Sequence, residues 1–306
     1  MINPAVNIKN EIGRLRTLVL GIPDDFGGTP TLEEVYDPNS REHVLNGTFP
    51  IQEDVTEQMQ QLEDVLLKYD VQILRPENIP GVNQIFVRDI AFVIDDKFII
   101  PNIIKNRHRE SEGIEKILDM INPDRIIQVD HGIRMEGGDI MPWNDEIFVG
   151  YSEPEDFNKY KVSRTNKEGV EFLIETFPHR NVHAFELNKS DVDPLNNALH
   201  LDCCFQPIGR DQAIIYRGGF KNEKDVDFLL DYFGKENLIE ITQQEMHDMN
   251  SNIFSISPEV IISCHTFTRL NRELEKRSFT VEKISYEEIA KMEGLLRCST
   301  MPLVRD

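Results

Sequence analysis

A structural unit that recurs about every 50 residues constrains the fold of this chain more than any other sequence feature. Each unit has an apolar strand pair joined by a short turn, then a helix with one apolar face, then a further apolar strand. Four units are predicted, with strand pairs at 86–94/97–101, 139–142/146–151, 199–208/212–216 and 252–257/260–264. Their helices are predicted at 110–121, 166–177, 223–233 and 270–276, and their closing strands at 125–129, 182–187, 238–242 and 280–285. The start of the chain supplies a fifth unit, with a strand at 15–21, a helix at 52–69 and a strand at 71–75.

Five similar units indicate an α/β fold built by radial repetition, in which each unit forms one blade of a five-bladed propeller. An ordinary α+β domain with chance regularity is the alternative. The chain has no Gly/Ser-rich linker, so residues 1–306 are predicted to form a single domain. The polar stretch 24–50 is predicted to be a loop near the centre of the ring.

The charge of the chain limits its partners. The formal net charge is -21, which argues against nucleic acid because phosphate contacts need a basic surface. The same charge is compatible with a small cationic substrate. Segment 1–14 lacks the apolar core of a signal peptide, and no apolar run reaches the roughly 20 residues that span a bilayer. With four cysteines and no CxxC pair, we expect a reduced, cytoplasmic protein.

Acidic residues recur where the predicted strand pairs begin. Asp89 and Asp139 are 50 residues apart, Glu136 lies just before Asp139, and Asp202 starts the next pair. Equivalent points of radial units converge, so these acids are expected to meet. A cluster of carboxylates with no obvious basic partner suits a planar cation with several N–H donors. The alternative is that each acid caps a turn or pairs with a structural arginine.

A histidine and a cysteine complete a candidate catalytic set. His200 is predicted at a strand start with Asp202 two residues on, so both side chains should share one strand face. Cys298 alone would be a weak candidate, because a free cysteine is usually a small buried apolar residue. Together with His200 and an acid it forms a hypothetical triad. No zinc site or phosphate-binding glycine loop is predicted.

Four motifs together resemble a known family. They are FVRD at 86–89, EGGD at 136–139, HLD at 200–202 and RCSTMP at 297–302, and the opening EIGRL at 11–15 also resembles the deiminases. The chain is similar to the guanidine-modifying enzymes, which include arginine deiminases, dimethylarginine dimethylaminohydrolases and amidinotransferases. The resemblance implies the pentein fold, a five-bladed α/β-propeller, and no metal or organic cofactor.

The resemblance also implies a role for each matching residue. Cys298 matches the nucleophile, His200 the general acid/base, and Glu136 the acid that orients the histidine. The carboxylates of Asp89 and Asp202 match those that hold the guanidinium. Two further residues complete the set: Asp139 matches an acid beside them, and Arg164 resembles an arginine that pairs with the substrate α-carboxylate.

Two departures from the family pattern affect these expectations. An extra stretch, 153–162, separates Ser152 from Arg164, where the family usually joins them as Gly-x-Ser-x-Arg-Thr, so the position of Arg164 is open. The chain also has no room for the helical insertion of the arginine deiminases, and its size is closer to that of the dimethylarginine hydrolases. Its CSTMPLVR ending at 298–305 is closer to that of the deiminases.

The predicted activity is cysteine-dependent hydrolysis of a guanidino substrate, arginine or a substituted arginine, through a covalent thiouronium. Transfer of the amidino group to an amine is the first alternative, because the same residues would serve it. A non-catalytic pentein binding module is the second. The expected partner is a small cationic guanidino compound, with no nucleic acid and no membrane, and a homodimer is left open.

Overall fold

The computed structural model describes residues 6–306, so the first five residues of segment 1–14 lie outside the described residues. The described part contains nine α-helices and fifteen strands. The helices are α1 (Pro38–Asn46), α2 (Gln52–Lys68), α3 (Glu115–Leu118), α4 (Pro154–Lys159), α5 (Lys167–Thr176), α6 (Glu223–Phe233), α7 (Gln243–His247), α8 (Thr268–Lys276) and α9 (Glu287–Ala290).

The strands assemble into five separate three-stranded sheets. They are β1 (Leu15–Leu20), β2 (Gln72–Leu74), β3 (Phe92–Ile94), β4 (Lys97–Ile100), β5 (Ile126–Gln128), β6 (Ile140–Trp143), β7 (Glu146–Tyr151), β8 (Asn181–Glu186), β9 (Phe205–Ile208), β10 (Gln212–Ile215), β11 (Leu238–Glu240), β12 (Phe254–Ser257), β13 (Val260–Cys264), β14 (Thr280–Ile284) and β15 (Thr300–Arg305). The sheet orders are β15-β1-β2, β3-β4-β5, β6-β7-β8, β9-β10-β11 and β12-β13-β14.

All five sheets have the same pairing pattern. The middle strand is antiparallel to one neighbour and parallel to the other, which follows the helix in sequence. The predicted repeat of strand pair, helix and strand is therefore present. The first sheet joins the N-terminal and C-terminal parts of the chain, because β15 pairs with β1. Sequence reasoning did not assign β15, which lies in the motif that contains Cys298.

The helix α2 follows the prediction made from its apolar spacing. Val55, Met59, Leu62 and Leu66 are buried against the core, while the other face carries charged residues. Residues at i, i+3/i+4 and i+7 lie on one side of a helix, so this spacing alone fixes which side packs inward. The exposed Leu67 lies off that stripe.

Two predicted regions differ in secondary structure. The stretch 24–50, predicted as a loop, contains α1, whose start is capped by Asp37 accepting from the Ser40 amide at 2.7 Å. Gly47 ends this helix in the left-handed region, at φ 64°. The predicted helix at 110–121 is instead a 3-10 segment, Lys105–Ile114, followed by the single turn α3. Arg107 and Glu110, which lie on this 3-10 segment, are buried.

The segments that carry the family motifs are turns rather than strands. Strands predicted from 86, 199 and 252 begin only at β3, β9 and β12, and short 3-10 turns span Gly137–Asp139 and Leu201–Cys203. The expectation that His200 and Asp202 share one strand face was therefore wrong, because neither lies on a strand. Turns aim consecutive side chains at different angles, so several residues of one motif can reach a common point. No helix among residues 6–306 meets the length and apolarity needed to cross a membrane.

Candidate active site

His200 is held by Glu136 in a buried hydrogen bond. The distance from His200 Nε2 to Glu136 Oε2 is 2.8 Å, and both side chains are almost completely buried. The other carboxylate oxygen of Glu136 accepts from the Ile104 amide at 2.9 Å. Because a carboxylate can only accept, Nε2 carries a proton and the ring orientation is fixed. The predicted contact between these two residues is thus present.

Electrostatics in this pair favour an imidazolium. Burial alone would lower the pKa of His200, but the carboxylates of Asp89 and Glu136 raise it above its ordinary value. Burial would likewise raise the pKa of Glu136, yet Arg164 and His200 bring it well below its usual range. The pair therefore carries an ionised carboxylate beside a histidine that retains its proton more strongly than in water.

Asp89 lies on the other side of the His200 ring. Its Oδ1 is 3.8 Å from His200 Nδ1 and accepts from the Gly138 amide at 2.9 Å. A side chain at 138 would not fit, because a Cβ there would lie 2.7 Å from His200 Cγ and 2.9 Å from Asp89 Oδ1. The second glycine of the EGGD motif thus allows Asp89 and His200 to approach each other.

Cys298 sits in the turn before β15, in direct contact with two polar side chains. Its Sγ is 3.1 Å from Asn252 Nδ2 and 3.6 Å from Asp202 Oδ2. Asn252 Oδ1 also accepts from the Cys298 amide at 3.2 Å, and the Arg88 amide donates to the Cys298 carbonyl at 3.0 Å. These bonds tie the turn that carries Cys298 to two other motif segments.

In the absence of a bound cation, the surroundings of Cys298 oppose its ionisation. Burial raises the pKa of the thiol well above its ordinary value, and the charges of Asp202 and Asp89 raise it further. The side chain is only 2% exposed. The thiol therefore faces two carboxylates that would repel a thiolate until a positive charge comes between them.

The expectation that the acids lack basic partners was wrong. Arg107 donates from Nη1 to Asp89 Oδ2 at 2.6 Å, and Arg297 donates from Nη1 to Asp202 Oδ2 at 2.9 Å. Each arginine also has a second acidic partner, Glu110 for Arg107 and Glu11 for Arg297. Sequence reasoning missed these pairs because Arg107 is 18 residues from Asp89 and Arg297 is 95 residues from Asp202.

Arg164 reaches the site despite the extra stretch 153–162. That stretch contains α4. The residues on either side of it are joined by a hydrogen bond of 2.9 Å, in which the Ser152 amide donates to the Thr165 carbonyl. Arg164 is fully buried and donates from Nη1 to Glu136 Oε2 at 2.8 Å. Its Nε and Nη2 are buried without a hydrogen-bond partner among residues 6–306. The Tyr36 ring lies 5.6 Å from its guanidinium carbon.

Asp139 positions the backbone of this site. Its Oδ2 accepts from Thr165 Oγ1 at 2.6 Å, and its Oδ1 accepts from the Leu201 amide at 2.9 Å. The residues beside Arg164 and His200 are thereby joined through one carboxylate. Burial raises the pKa of Asp139.

Two residues of the site were not identified from the sequence. Arg107 is buried and makes paired bonds of 2.8 Å to both oxygens of Glu110, three residues on. Asn252 contacts Cys298, and its 50-residue distance from Asp202 was the signal that could have identified it. A cavity of about 380 Å³ lies beside Arg107 and is lined by Tyr36, Asp37 and Arg107 among others.

One ion could reach the ligand atoms of Asp89, Glu136 and His200, which all lie within 4.8 Å of one another. Arg107 and Arg164 already place permanent positive charges on the same carboxylates. The charges of Arg107 and Arg164 therefore oppose the binding of a metal cation at Glu136.

Comparisons with known proteins find relatives over most of the chain. The uncharacterized protein YkgA of Bacillus subtilis is 27% identical over 301 residues, 97% of this chain and 94% of that protein. Arginine deiminase of Listeria monocytogenes serovar 1/2a is 26% identical over 268 residues, 74% of this chain. The match covers 62% of that deiminase, less than two thirds of its length.

Solved structures share the fold at low sequence identity. The N-terminal domain of ArgZ, a cyanobacterial arginine dihydrolase bound to product, has a TM-score of 0.76 at 16% identity, covering 94% of this chain and 97% of that one. The amidinotransferase SxtG of Microseira wollei has a TM-score of 0.73 at 16% identity, covering 98% and 97%. DDAH of Pseudomonas aeruginosa, complexed with citrulline, has a TM-score of 0.70 at 18% identity, covering 94% and 99%. The chain thus has the mixed α/β fold of the pentein structures.

The family comparison covers most of the chain. Residues 41–305 match the family described as "N,N dimethylarginine dimethylhydrolase, eukaryotic". This range includes all seven residues predicted for the site. The chain therefore belongs to the N,N-dimethylarginine dimethylhydrolase family, within the pentein superfamily of guanidine-modifying enzymes.

Proposed function

We propose that this protein is a cysteine-dependent hydrolase of a guanidino substrate, arginine or a substituted arginine, that releases ammonia or an amine and a ureido product. The observation that carries the proposal is the position of Cys298, whose Sγ is 3.6 Å from Asp202 Oδ2. Burial raises the pKa of this thiol, and the charges of Asp202 and Asp89 raise it further. A planar cation that binds the carboxylates of Asp89 and Asp202 would have its central carbon next to the Cys298 sulfur.

In this proposal Asp89 and Asp202 hold the guanidinium. Each carboxylate oxygen can accept more than one hydrogen bond, so the existing bonds from Arg107 and Arg297 leave acceptor capacity for substrate N–H groups. Fixing the guanidinium this way places its central carbon beside Sγ and removes the entropy cost of the encounter.

The substrate itself activates the nucleophile. Burial and the two carboxylates keep Cys298 as a thiol in the unliganded site. A bound guanidinium offsets the charges of Asp89 and Asp202, so the pKa of the thiol falls only when substrate is present. Cys298 is then protected from side reactions between turnovers.

The reaction has two stages with His200 in both. The thiol proton of Cys298 passes to solvent when substrate binds, the thiolate attacks the guanidinium carbon and an S–C bond forms. The tetrahedral adduct collapses as His200 gives its proton to the departing nitrogen and the C–N bond breaks. A planar S-alkylthiouronium remains. Neutral His200 then takes a proton from water, and the hydroxide adds to the same carbon. The C–S bond breaks as the hydroxyl proton of this adduct passes to the leaving sulfur, which gives the ureido product and the Cys298 thiol.

His200 is suited to donate first. Against the effect of burial, the carboxylates of Asp89 and Glu136 raise its pKa, which favours the imidazolium that can donate a proton. Its Nδ1, the nitrogen that Glu136 does not hold, lies 3.8 Å from Asp89 Oδ1. Glu136 holds Nε2 in place throughout, which stabilises the imidazolium before transfer. Asp139 acts through the backbone at Leu201 as a positioning residue.

Arg164 is proposed to bind an anionic end of the substrate. Its Nε and Nη2 are buried donors without partners among residues 6–306, an expensive state that a ligand carboxylate would relieve. This supports an amino-acid substrate rather than a guanidino compound that lacks a carboxylate.

The proposal includes the finer features of the fold. We infer that the five sheets stand around a common axis as the blades of a propeller within one domain, 1–306. This is supported by the identical pairing pattern of the sheets and by the meeting of residues from all five units at one site.

Amidino transfer is the second candidate, and the similarity in fold to an amidinotransferase supports it. An amine would then replace water in the second stage. The binding-module alternative is disfavoured because a non-catalytic protein has no need of a thiol, a histidine and an orienting carboxylate together. A screen of arginine, methylated arginines, agmatine and guanidino acids, with and without glycine as acceptor, tests the proposal. Release of citrulline with ammonia or an amine, without acceptor, supports hydrolysis. Turnover only with acceptor would replace it by transfer, and no turnover of any guanidine would refute both.

A further inference from the structure

A second group of metal-binding side chains lies outside the candidate active site. Cys264 is the last residue of β13, His265 follows it, and Glu287 is the first residue of α9. Strands β13 and β14 run parallel, with Cys264 paired to Ile284. Their carboxyl ends therefore lie side by side, which brings Cys264 and His265 next to the chain that leads into α9.

The spacing of the three side chains matches a single small ion. Cys264 Sγ is 3.7 Å from Glu287 Oε2, and His265 Nδ1 is 3.8 Å from the same oxygen. All three ligand atoms lie within 4.8 Å of one another. In a tetrahedral zinc site with metal–ligand distances of about 2.0–2.3 Å, neighbouring ligand atoms are about 3.3–3.6 Å apart. The observed distances would have to shorten by only a few tenths of an ångström for the two measured contacts.

The backbone around the three ligands is held by hydrogen bonds. The Asn271 side-chain amide donates to the Cys264 carbonyl at 2.8 Å, and the His265 amide donates to the Ile284 carbonyl at 2.8 Å. The Tyr286 amide donates to Glu287 Oε2 at 2.9 Å. Outer contacts of this type orient metal ligands and tune their affinity. These bonds fix the backbone at Cys264 and His265 and one carboxylate oxygen of Glu287. His265 Nδ1 lies 3.3 Å from the Ile284 carbonyl oxygen, so the ring has to turn from this contact when Nδ1 binds an ion.

The group also has an open side. Cys264 is buried, but the His265 and Glu287 side chains are 49% and 41% exposed. Glu287 and Thr266 line a surface cavity of about 480 Å³. An ion could enter from this side and keep a water as fourth ligand, which is the pattern of zinc sites with three protein ligands.

We propose that Cys264, His265 and Glu287 bind a zinc-type divalent transition-metal ion at the carboxyl ends of β13 and β14. A thiolate, an imidazole and one carboxylate favour zinc over magnesium or calcium, which prefer oxygen ligands. The site is separate from Cys298 and does not depend on the proposed reaction.

Cobalt is the decisive probe, because a Co²⁺–thiolate bond gives a near-ultraviolet charge-transfer band. The experiment uses metal-stripped full-length protein in a Cys298→Ser background, so that the thiol of the candidate active site cannot contribute. We expect one equivalent of Co²⁺ to produce the band and Zn²⁺ to remove it by competition. Adding Cys264→Ser should abolish the band. No band in the Cys298→Ser protein, or an unchanged band after Cys264→Ser, would overturn the proposal.

The two exposed ligands give a test that does not disturb the core. Glu287→Gln and His265→Gln, again in the Cys298→Ser background, should each raise the calorimetric Kd for Zn²⁺ by roughly tenfold or more. Glu288→Gln is the matched control, since Glu288 pairs with Lys291 and not with the proposed ion. Zn²⁺ should also raise the Tm of the control by more than it raises the Tm of the Glu287→Gln variant. Equal Kd values for control and ligand variants would contradict the site even if some zinc binds elsewhere.

Discussion

Asp89→Asn is the substitution that most directly tests the guanidinium pocket. The carboxylate is 2% exposed and accepts from the Gly138 amide and from Arg107. An amide has the same shape but no charge, and it replaces one acceptor oxygen with a donor. In the variant a substrate cation would lose an ion pair and meet a misdirected N–H group.

The expected magnitude follows from the depth of the site. Breaking a buried charge pair by removing one partner costs about 3–5 kcal/mol, which corresponds to a fall in kcat/KM of roughly 10²- to 4 × 10³-fold. Stability should change less, because Arg107 keeps both of its bonds to Glu110. The assay is kcat/KM with the best substrate from the screen, together with urea unfolding of the same preparation.

Glu110→Gln is the matched control for this substitution. It removes another buried carboxylate from the same arginine, so it reproduces any effect that acts only through displacement of Arg107. We expect Asp89→Asn to lower kcat/KM at least about tenfold more than the control does. Equal losses in the two variants would show that Asp89 positions Arg107 instead of binding substrate. Wild-type kcat/KM in a stable Asp89→Asn variant would refute the guanidinium pocket itself.

Four further predictions concern other residues of the site. Asp202→Asn should also lower kcat/KM, and its free energy of unfolding should change little because Arg297 retains its bonds to Glu11. A large loss of stability with normal kcat/KM would show that Asp202 has a structural role. Cys298→Ser should lower turnover by several orders of magnitude with little change in Tm, since a hydroxyl is a far weaker nucleophile, and near-normal activity would exclude Cys298. Arg164→Ala should lower kcat/KM for arginine more than for agmatine, by roughly 10- to 100-fold, and an unchanged ratio would assign the carboxylate to another residue. Because the pKa of His200 is raised in the folded state, protonation of His200 should stabilise the fold fully below about pH 6.5, and this effect should be lost as the pH rises through the folded-state pKa. The difference in unfolding free energy between wild type and His200→Gln, measured by urea unfolding, should therefore decrease toward higher pH. A difference that increases with pH would contradict the raised pKa.

Local patterns were sufficient for the repeated unit. The apolar stripe of α2 predicts its buried face, and α6 spans the same residues, Glu223–Phe233, that its spacing predicts. Alternating and continuous apolar runs located the strands of all five sheets except β15. These features depend on neighbouring residues in the chain, so sequence reasoning can find them.

The boundaries of the motif segments could not be predicted in the same way. Apolar residues such as Phe86 and Leu199 extend the pattern of a strand, but the chain turns at these positions because His200, Asp89 and Cys298 must bond to groups in other units. The start of α1 had recognisable signals, Asp37 before Pro38, yet they lay within a polar stretch without apolar periodicity.

By itself, the sequence determined the repeat, the residues Cys298, His200 and Glu136 as candidates, and the 50-residue spacing of Asp89 and Asp139. Only the tertiary structure decided their partners. It placed Arg107 on Asp89, Arg297 on Asp202 and Asn252 on Cys298, and it returned Arg164 to Glu136 after the excursion through α4. The physical reason is that hydrogen bonds and ion pairs depend on distances in space, whereas periodicity depends on distance along the chain. The sheets bring together residues as far apart as Leu15 and Arg305, 290 positions along the chain.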